Sequence, residues 1–309
     1  MKKQLVATGF ILFSLSLPIK ASAAIDQLYV FGDSLSDTGN TYKATQGIIP
    51  PSPPYFQGRF SNGPVWVEDL ATSLGIKQTN FAFGGATTGT ENVGFFGQFV
   101  NVLPGLDQQV KTFTTANPTA DPNGLYVVWA GANDYLGGGV LNPQQPVSNL
   151  QKAVTSLASV GAKNFLVANL PDLGELPGTR NNPNAGGLNT LTTFHNSGLS
   201  ATLSGLSKQT GLNIIPLDVN SLFGQALATP QKFGFTNVTD PCLNSQTSAS
   251  CAKEDEYLFW DQLHPTKRTH SIIAQAAFAA VPESTSTFGL LAFGIGVATV
   301  VKRQQKARV

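Results

Sequence analysis

The chain has 309 residues, 41% of them hydrophobic and only 12% charged, with 19 Lys and Arg against 18 Asp and Glu for a net charge of +1. No basic stripe interrupts it, which excludes a nucleic-acid partner. Between residues 24 and 280 the balance is 12 basic to 17 acidic side chains, about −5, so the basic surplus lies at the two ends.

Met1-Lys2-Lys3, the uncharged apolar stretch 5–17 and the small residues Ala21-Ser22-Ala23 make residues 1–23 a signal peptide. It is too short and wrongly flanked for a stable membrane span, and the chain is expected to be exported. Residues 24–280 are long enough for one sizeable α/β domain. Strands are predicted at 27–32, 76–83, 125–131, 163–169 and 213–219, all but the second nearly continuous in apolar residues. Strands buried on both faces read that way, which argues for a parallel sheet covered by helices. Helical periodicity fits 147–160, 188–210 and 267–280, and the Asn/Pro-rich run 177–187 with Gly186-Gly187 reads as a surface turn. The βαβαβ order predicts an α/β fold, a three-layer α/β/α doubly wound parallel sheet whose ligands sit at the strands' carboxyl ends.

Chemistry concentrates at those ends. Gly32-Asp33-Ser34 directly follows the apolar run Leu28-Tyr29-Val30-Phe31, a turn that can present a hydroxyl at the sheet edge. Taken singly, such a tripeptide is ordinary turn chemistry. A serine becomes a useful nucleophile only when a base takes its proton, so the histidines decide the matter. There are three. His195 sits in a helical pattern with no acid nearby, and His270, after Lys267 and Arg268, is expected on a solvated helix face. His264 alone has a local acid, Asp261, in Asp261-Gln262-Leu263-His264-Pro265. Two further segments resemble what an oxyanion hole needs. Asn80-Phe81-Ala82-Phe83-Gly84-Gly85-Ala86-Thr87 carries paired glycines, and Val127-Val128-Trp129-Ala130-Gly131-Ala132-Asn133-Asp134 ends a strand on an amide side chain.

This ordered set resembles the GDSL family of esterases and lipases, the SGNH hydrolases. The matching text is Phe31-Gly32-Asp33-Ser34-Leu35-Ser36-Asp37-Thr38-Gly39-Asn40, the segment 80–87, Gly131-Ala132-Asn133-Asp134 and Asp261 through Thr266. Gly58-Arg59-Phe60-Ser61-Asn62-Gly63-Pro64-Val65-Trp66 also looks like the family's segment after the first block. The likeness spans residues 26–280. It implies the SGNH-hydrolase, flavodoxin-like fold, with Ser34 as nucleophile, His264 as base and Asp261 as its orienter. Gly85 and Asn133 would join the Ser34 N–H as oxyanion donors.

Cys242 and Cys251 lie in one polar loop, and in an exported chain such a pair reads as a disulfide. The alternative, a metal, lacks a nearby histidine to complete it. Two loops are candidates for substrate contact. Residues 43–66 carry Pro50, Pro51, Pro53, Pro54, Tyr55, Phe56 and Phe60, and residues 88–106 carry Phe95, Phe96 and Phe99. These aromatics suit an acyl chain; equally, they can pin long loops to the core. In the tail, Val281-Pro282-Glu283-Ser284 leads into eighteen uncharged residues, 284–301, and then Lys302, Arg303, Lys306 and Arg308. Segment 281–309 resembles the bacterial PEP-CTERM sorting signal, with Ser284 where its second proline usually stands. That implies sorting and processing machinery as a partner, and a periplasmic, outer-surface or secreted address. The alternative is an uncleaved membrane anchor at 284–301.

The expectation is an exported serine ester hydrolase acting on lipid or other acyl esters through an acyl-enzyme, with no metal or organic cofactor. A carbohydrate acetylesterase is the second enzymatic reading. A catalytically silent surface-binding domain on the same scaffold is the third.

Overall fold

Five strands, β1 (Gln27–Gly32), β2 (Lys77–Asn80), β3 (Leu125–Trp129), β4 (Asn164–Ala168) and β5 (Asn213–Leu217), pair in parallel in the order β2-β1-β3-β4-β5. This computed structural model describes residues 25–94 and 102–282. The predicted signal peptide, Phe95, Phe96, Phe99 and the apolar stretch 284–301 lie outside the described residues.

Period-two alternation sorts the sheet's side chains into two cores. Leu28, Val30, Val127, Trp129 and Leu166 face one side, and Phe31, Tyr126, Val128, Phe165 and Val167 the other. All five residues of β3 are buried, the reason it reads as an uninterrupted apolar run. The first side is covered by α2 (Trp66–Leu74), α7 (Val219–Ala228) and α8 (Lys267–Ala280). The second is covered by α3 (Leu106–Ala116), α5 (Gln144–Ser159) and α6 (Ala185–Thr210). The expected three-layer α/β/α arrangement is therefore the one present. Two one-turn helices, α1 (Asn40–Ala44) and α4 (Ala132–Leu136), follow β1 and β3 at the sheet's carboxyl edge.

Several elements depart from the sequence reading. β2 is an edge strand of only four residues, yet the Phe81 and Phe83 amides still donate to the Val30 and Gly32 carbonyls (2.8 and 3.2 Å) and keep the chain alongside β1. Gly186-Gly187 belongs to the first turn of α6 rather than to a surface turn. His270, expected in solvent, is fully buried. It shares a helix face with Ile273, Ala274 and Ala277 at i+3, i+4 and i+7, and its Nδ1 accepts from the Trp66 amide at 3.3 Å. A parallel pair, β6 (Asn237–Pro241) and β7 (Tyr257–Phe259), flanks the loop closed by a Cys242–Cys251 disulfide. Among the described residues no helix is long and apolar enough to cross a membrane.

Candidate active site

The turn after β1 is built for close approach. A Cβ on Gly32 would stand 2.3 Å from the Trp129 carbonyl oxygen, so only glycine lets β1 and β3 run together here. The Gln109 side chain from α3 holds Gly32 at both its N–H and its C=O (2.9 Å each). Asp33 then turns the chain, its Oδ1 accepting from the Leu35 amide at 3.0 Å, and Ser34 emerges with 8% exposure.

At the other end of the chain, β7 runs into a tight turn in which Asp261 Oδ1 accepts from the amides of Leu263 (2.8 Å) and His264 (2.7 Å). His264 Nδ1 meets both carboxylate oxygens, at 2.9 Å to Oδ1 and 2.8 Å to Oδ2. Its Nε2 lies 2.8 Å from Ser34 Oγ. The segment 58–66 braces this turn: the Ser61 hydroxyl donates to the Pro265 carbonyl (2.8 Å), and Asn62 Oδ1 accepts from the Lys267 amide (2.7 Å). The Phe60 ring lies 5.1 Å from the imidazole. Thr266 ends the turn and caps α8, its Oγ1 accepting from the Thr269 amide.

The oxyanion candidates meet at the 80–88 segment. Asn133 Nδ2 donates to the Ala86 carbonyl at 3.0 Å, leaving its second amide hydrogen for a ligand. Asp134 accepts from the Thr88 amide (2.9 Å) and hydroxyl (2.6 Å), which ties α4 to the same segment. Of the paired glycines, the Gly84 amide is already bound to Asp37 Oδ2 (3.0 Å) and Thr41 Oγ1 (2.8 Å), so the Gly85 amide is the one left for the role. Gly85 adopts φ 76°, and a Cβ there would lie 2.5 Å from Asn92 Oδ1. Ser34, Asn133 and His264 line one crevice, whereas Gly85 is not among its lining residues.

Electrostatics follow from burial. Burial pushes the Asp33 carboxyl up to about 7, against the Leu35 amide and the His264 charge, with the Asp134 charge adding to the rise. Burial would likewise raise Asp261, but the His264 charge and hydrogen bond, the Leu263 amide and the Tyr55 phenol hold it below the usual carboxylate range. His270 is lowered to about 3 by burial, with the His264 charge adding to the effect. The arrangement can therefore pass a proton from a serine hydroxyl to an imidazole already oriented by a carboxylate.

The aromatic candidates fare differently. Tyr55 does not line the crevice; its hydroxyl donates to Asp261 Oδ2 at 2.7 Å, and its ring packs edge-on to Trp260 and Phe60. Phe56 stands away from the crevice too, with the Arg59 guanidinium 5.9 Å over its ring. The crevice walls are instead Leu35, Leu136, Leu173, Leu176, Phe223 and Leu263. They come from five separate segments, so no local motif announces them. Asp37 was also missed as a structural link. Its carboxylate accepts from the Gly39, Asn40 and Thr41 amides at the start of α1 while holding Gly84, and an Asp two residues before Gly39-Asn40 is the local turn signal that could have found it. A second, shallow concavity on the 241–251 loop is lined by Asn244, Gln246, Thr247 and Gln262 and holds no base beside a nucleophile.

A family model described as GDSL-like Lipase/Acylhydrolase matches residues 28–277. A phosphatidylcholine-sterol acyltransferase of Aeromonas hydrophila is 31% identical over 303 residues, covering 82% of this chain and 89% of that protein. A thermolabile hemolysin of Vibrio parahaemolyticus is also 31% identical, over 271 residues, which is 81% of this chain and 62% of that protein. The structure of an aryl esterase of M. smegmatis superposes with a TM-score of 0.49 and 16% identity, over 82% of this chain and 97% of that one.

Proposed function

The chain belongs to the GDSL-like lipase/acylhydrolase family and hydrolyses ester bonds, and from that premise we propose that it works as a serine esterase on apolar acyl esters. The observation that carries the proposal is the hydrogen-bonded line from Ser34 Oγ through His264 to Asp261. Ser34 Oγ attacks the ester carbonyl carbon as His264 Nε2 takes its proton, and Asp261 orients and stabilises the imidazolium. The negative oxygen is held by the Ser34 and Gly85 amides and the Asn133 side chain. Collapse expels the alcohol, which receives the proton from His264, and leaves the acyl group on Ser34. Water, deprotonated by His264, then releases the acid by the same steps in reverse.

The apolar walls beside Ser34 support an apolar acyl group over acetate on a sugar. The relative named for phosphatidylcholine supports a lipid-like ester. We assign residues 24–280 to the hydrolase and propose export through segment 1–23 and sorting through segment 281–309, on the sequence pattern alone.

A panel of p-nitrophenyl esters from acetyl to palmitoyl, phosphatidylcholine vesicles and acetylated xylan tests the substrate class. Turnover should rise from acetyl to medium chains, and xylan deacetylation as the fastest reaction would replace this reading with the carbohydrate one. Ser34→Ala should stay folded and lose on the order of 10³–10⁶-fold in kcat. Near-wild-type turnover in that variant, or no labelling of the wild type by a fluorophosphonate, would overturn the serine mechanism.

A further inference from the structure

Four donors reach the Asp261 carboxylate among the described residues, and three of them come from its own turn: the amides of Leu263 and His264 and the imidazole Nδ1. The fourth is the Tyr55 hydroxyl, 206 positions away in sequence and 2.7 Å from Oδ2. We propose that Tyr55 is a positioning residue of the ester hydrolysis, fixing the Asp261 carboxylate and, through it, the orientation and basicity of His264. The inference rests on the Ser34–His264–Asp261 reading above.

Geometry gives Tyr55 a task its neighbours do not perform. The two amides both bind Oδ1, which secures one oxygen and leaves rotation about the carboxylate bond. Tyr55 binds the other oxygen, Oδ2, so that both oxygens His264 Nδ1 meets (2.9 and 2.8 Å) are held from outside and the carboxylate plane that orients the imidazole is fixed. Sharing Oδ2 also matters electronically, because a donor to a carboxylate draws charge from the oxygen that stabilises the imidazolium. The phenol is held rigidly. Its ring stands edge-on to Trp260 (6.4 Å, 85°) and to Phe60 (6.4 Å, 66°), and it packs against the cluster of Cys242, Leu243 and Trp260. Burial, then the Asp261 charge, pushes the phenol well above its ordinary range, so it remains a donor at every working pH. Ring packing alone would be met by Phe; among the described residues the hydroxyl's partner is the carboxylate.

The test is Tyr55→Phe, with kcat, KM and melting temperature measured on p-nitrophenyl butyrate from pH 5 to 9. We expect kcat to fall roughly tenfold, the size of one hydrogen bond to a charged group, with KM little changed. The acid limb of kcat/KM should move to higher pH, because a carboxylate relieved of the phenol stabilises the imidazolium more. Asp33 and His270 are the other titratable groups coupled to His264, and both are common to wild type and variant, so the difference between profiles isolates Tyr55. 3-Fluorotyrosine at position 55, a stronger donor of nearly the same shape, should move the limb the other way, and it decides the matter even if the Phe variant fails to fold. A folded Tyr55→Phe protein with wild-type kcat and an unmoved limb overturns the inference, as does a change confined to melting temperature. Ser34→Ala runs alongside. Its loss of turnover with none in Tyr55→Phe overturns the Tyr55 inference alone, while retained turnover in Ser34→Ala overturns the serine reading and this inference with it.

Discussion

Asn133 carries two duties on one amide group, and they make separate predictions. One hydrogen of Nδ2 holds the Ala86 carbonyl, and the other, without a partner among the described residues, can meet developing charge on the substrate oxygen. Asn133→Ala should therefore lower kcat by about 10²–10³ and leave KM nearly unchanged. It should also cost about 1 kcal/mol of stability through the lost bond to the 80–88 segment. Steady-state kinetics and urea unfolding on the same variant separate the two, and normal kcat with lowered stability would remove Asn133 from the oxyanion hole. At this scale the sequence exposes what is local. Asp261 and His264 sit three apart in one turn, and Ser34 follows an apolar strand, so their partnership could be read. Tyr55 could not, because only tertiary structure brings position 55 to position 261. His270 misled for a related reason: Lys267 and Arg268 suggested solvent, while the helix face that buries it is set by Ile273, Ala274 and Ala277 further along.

Elements were legible in proportion to how much of their signal is their own. β3 and β4 are continuous apolar runs because the centre of the sheet is buried on both faces, β1 and the half-exposed edge strand β5 keep enough apolar residues to be read, and α8 falls where its periodicity placed it. Helices α2, α3 and α7 are nine to eleven residues long, too short to be stable alone, and exist because Trp66, Phe113 and Phe223 reach the two cores. Each such buried side chain contributes about 1.5–3 kcal/mol, more than the intrinsic preference of so few residues. The β6–β7 pair was hidden because its strands are five and three residues long and separated by the disulfide loop. That loop matters to the site. The Cys242 and Leu243 amides donate to the Phe259 and Trp260 carbonyls (3.0 and 2.7 Å), so the disulfide braces the stretch that leads into Asp261. Replacing both cysteines by alanine should lower the unfolding free energy by about 2–3 kcal/mol in the loop-entropy account. It should also reduce kcat more than it raises KM. Chemical denaturation and kinetics check both, and unchanged stability would show that the loop is held by its backbone bonds alone.

Across the whole molecule, folding fixes ionisable groups in states they would not hold in water, and these states give acid stability a definite direction. His195 is fully buried on α6, with Nδ1 2.8 Å from the Tyr135 hydroxyl behind the helix that carries Asn133. Burial lowers it to about 4. Between roughly pH 6.5, the ordinary histidine value, and pH 4, the unfolded chain therefore binds a proton there that the folded chain refuses. Stability from this group is complete above about pH 6.5 and is lost as pH falls toward 4. Asp33 works the other way. Raised to about 7, it keeps its proton in the fold while the unfolded chain has released it, so its contribution is present in acid and lost as pH rises toward 7. Because the two effects oppose, the pH profile of the wild type alone cannot apportion them, and a difference between two proteins can. His195→Gln keeps a polar atom toward Tyr135 and removes the titration. Urea unfolding of both proteins at half-unit steps from pH 4 to 8 should give curves that run parallel above about pH 7. Below pH 6.5 they should converge or cross, the wild type losing up to about 1.4 kcal/mol more per pH unit than the variant. Curves parallel down to pH 4 would mean that His195 takes up its proton inside the folded molecule, and that the layer behind α4 admits water.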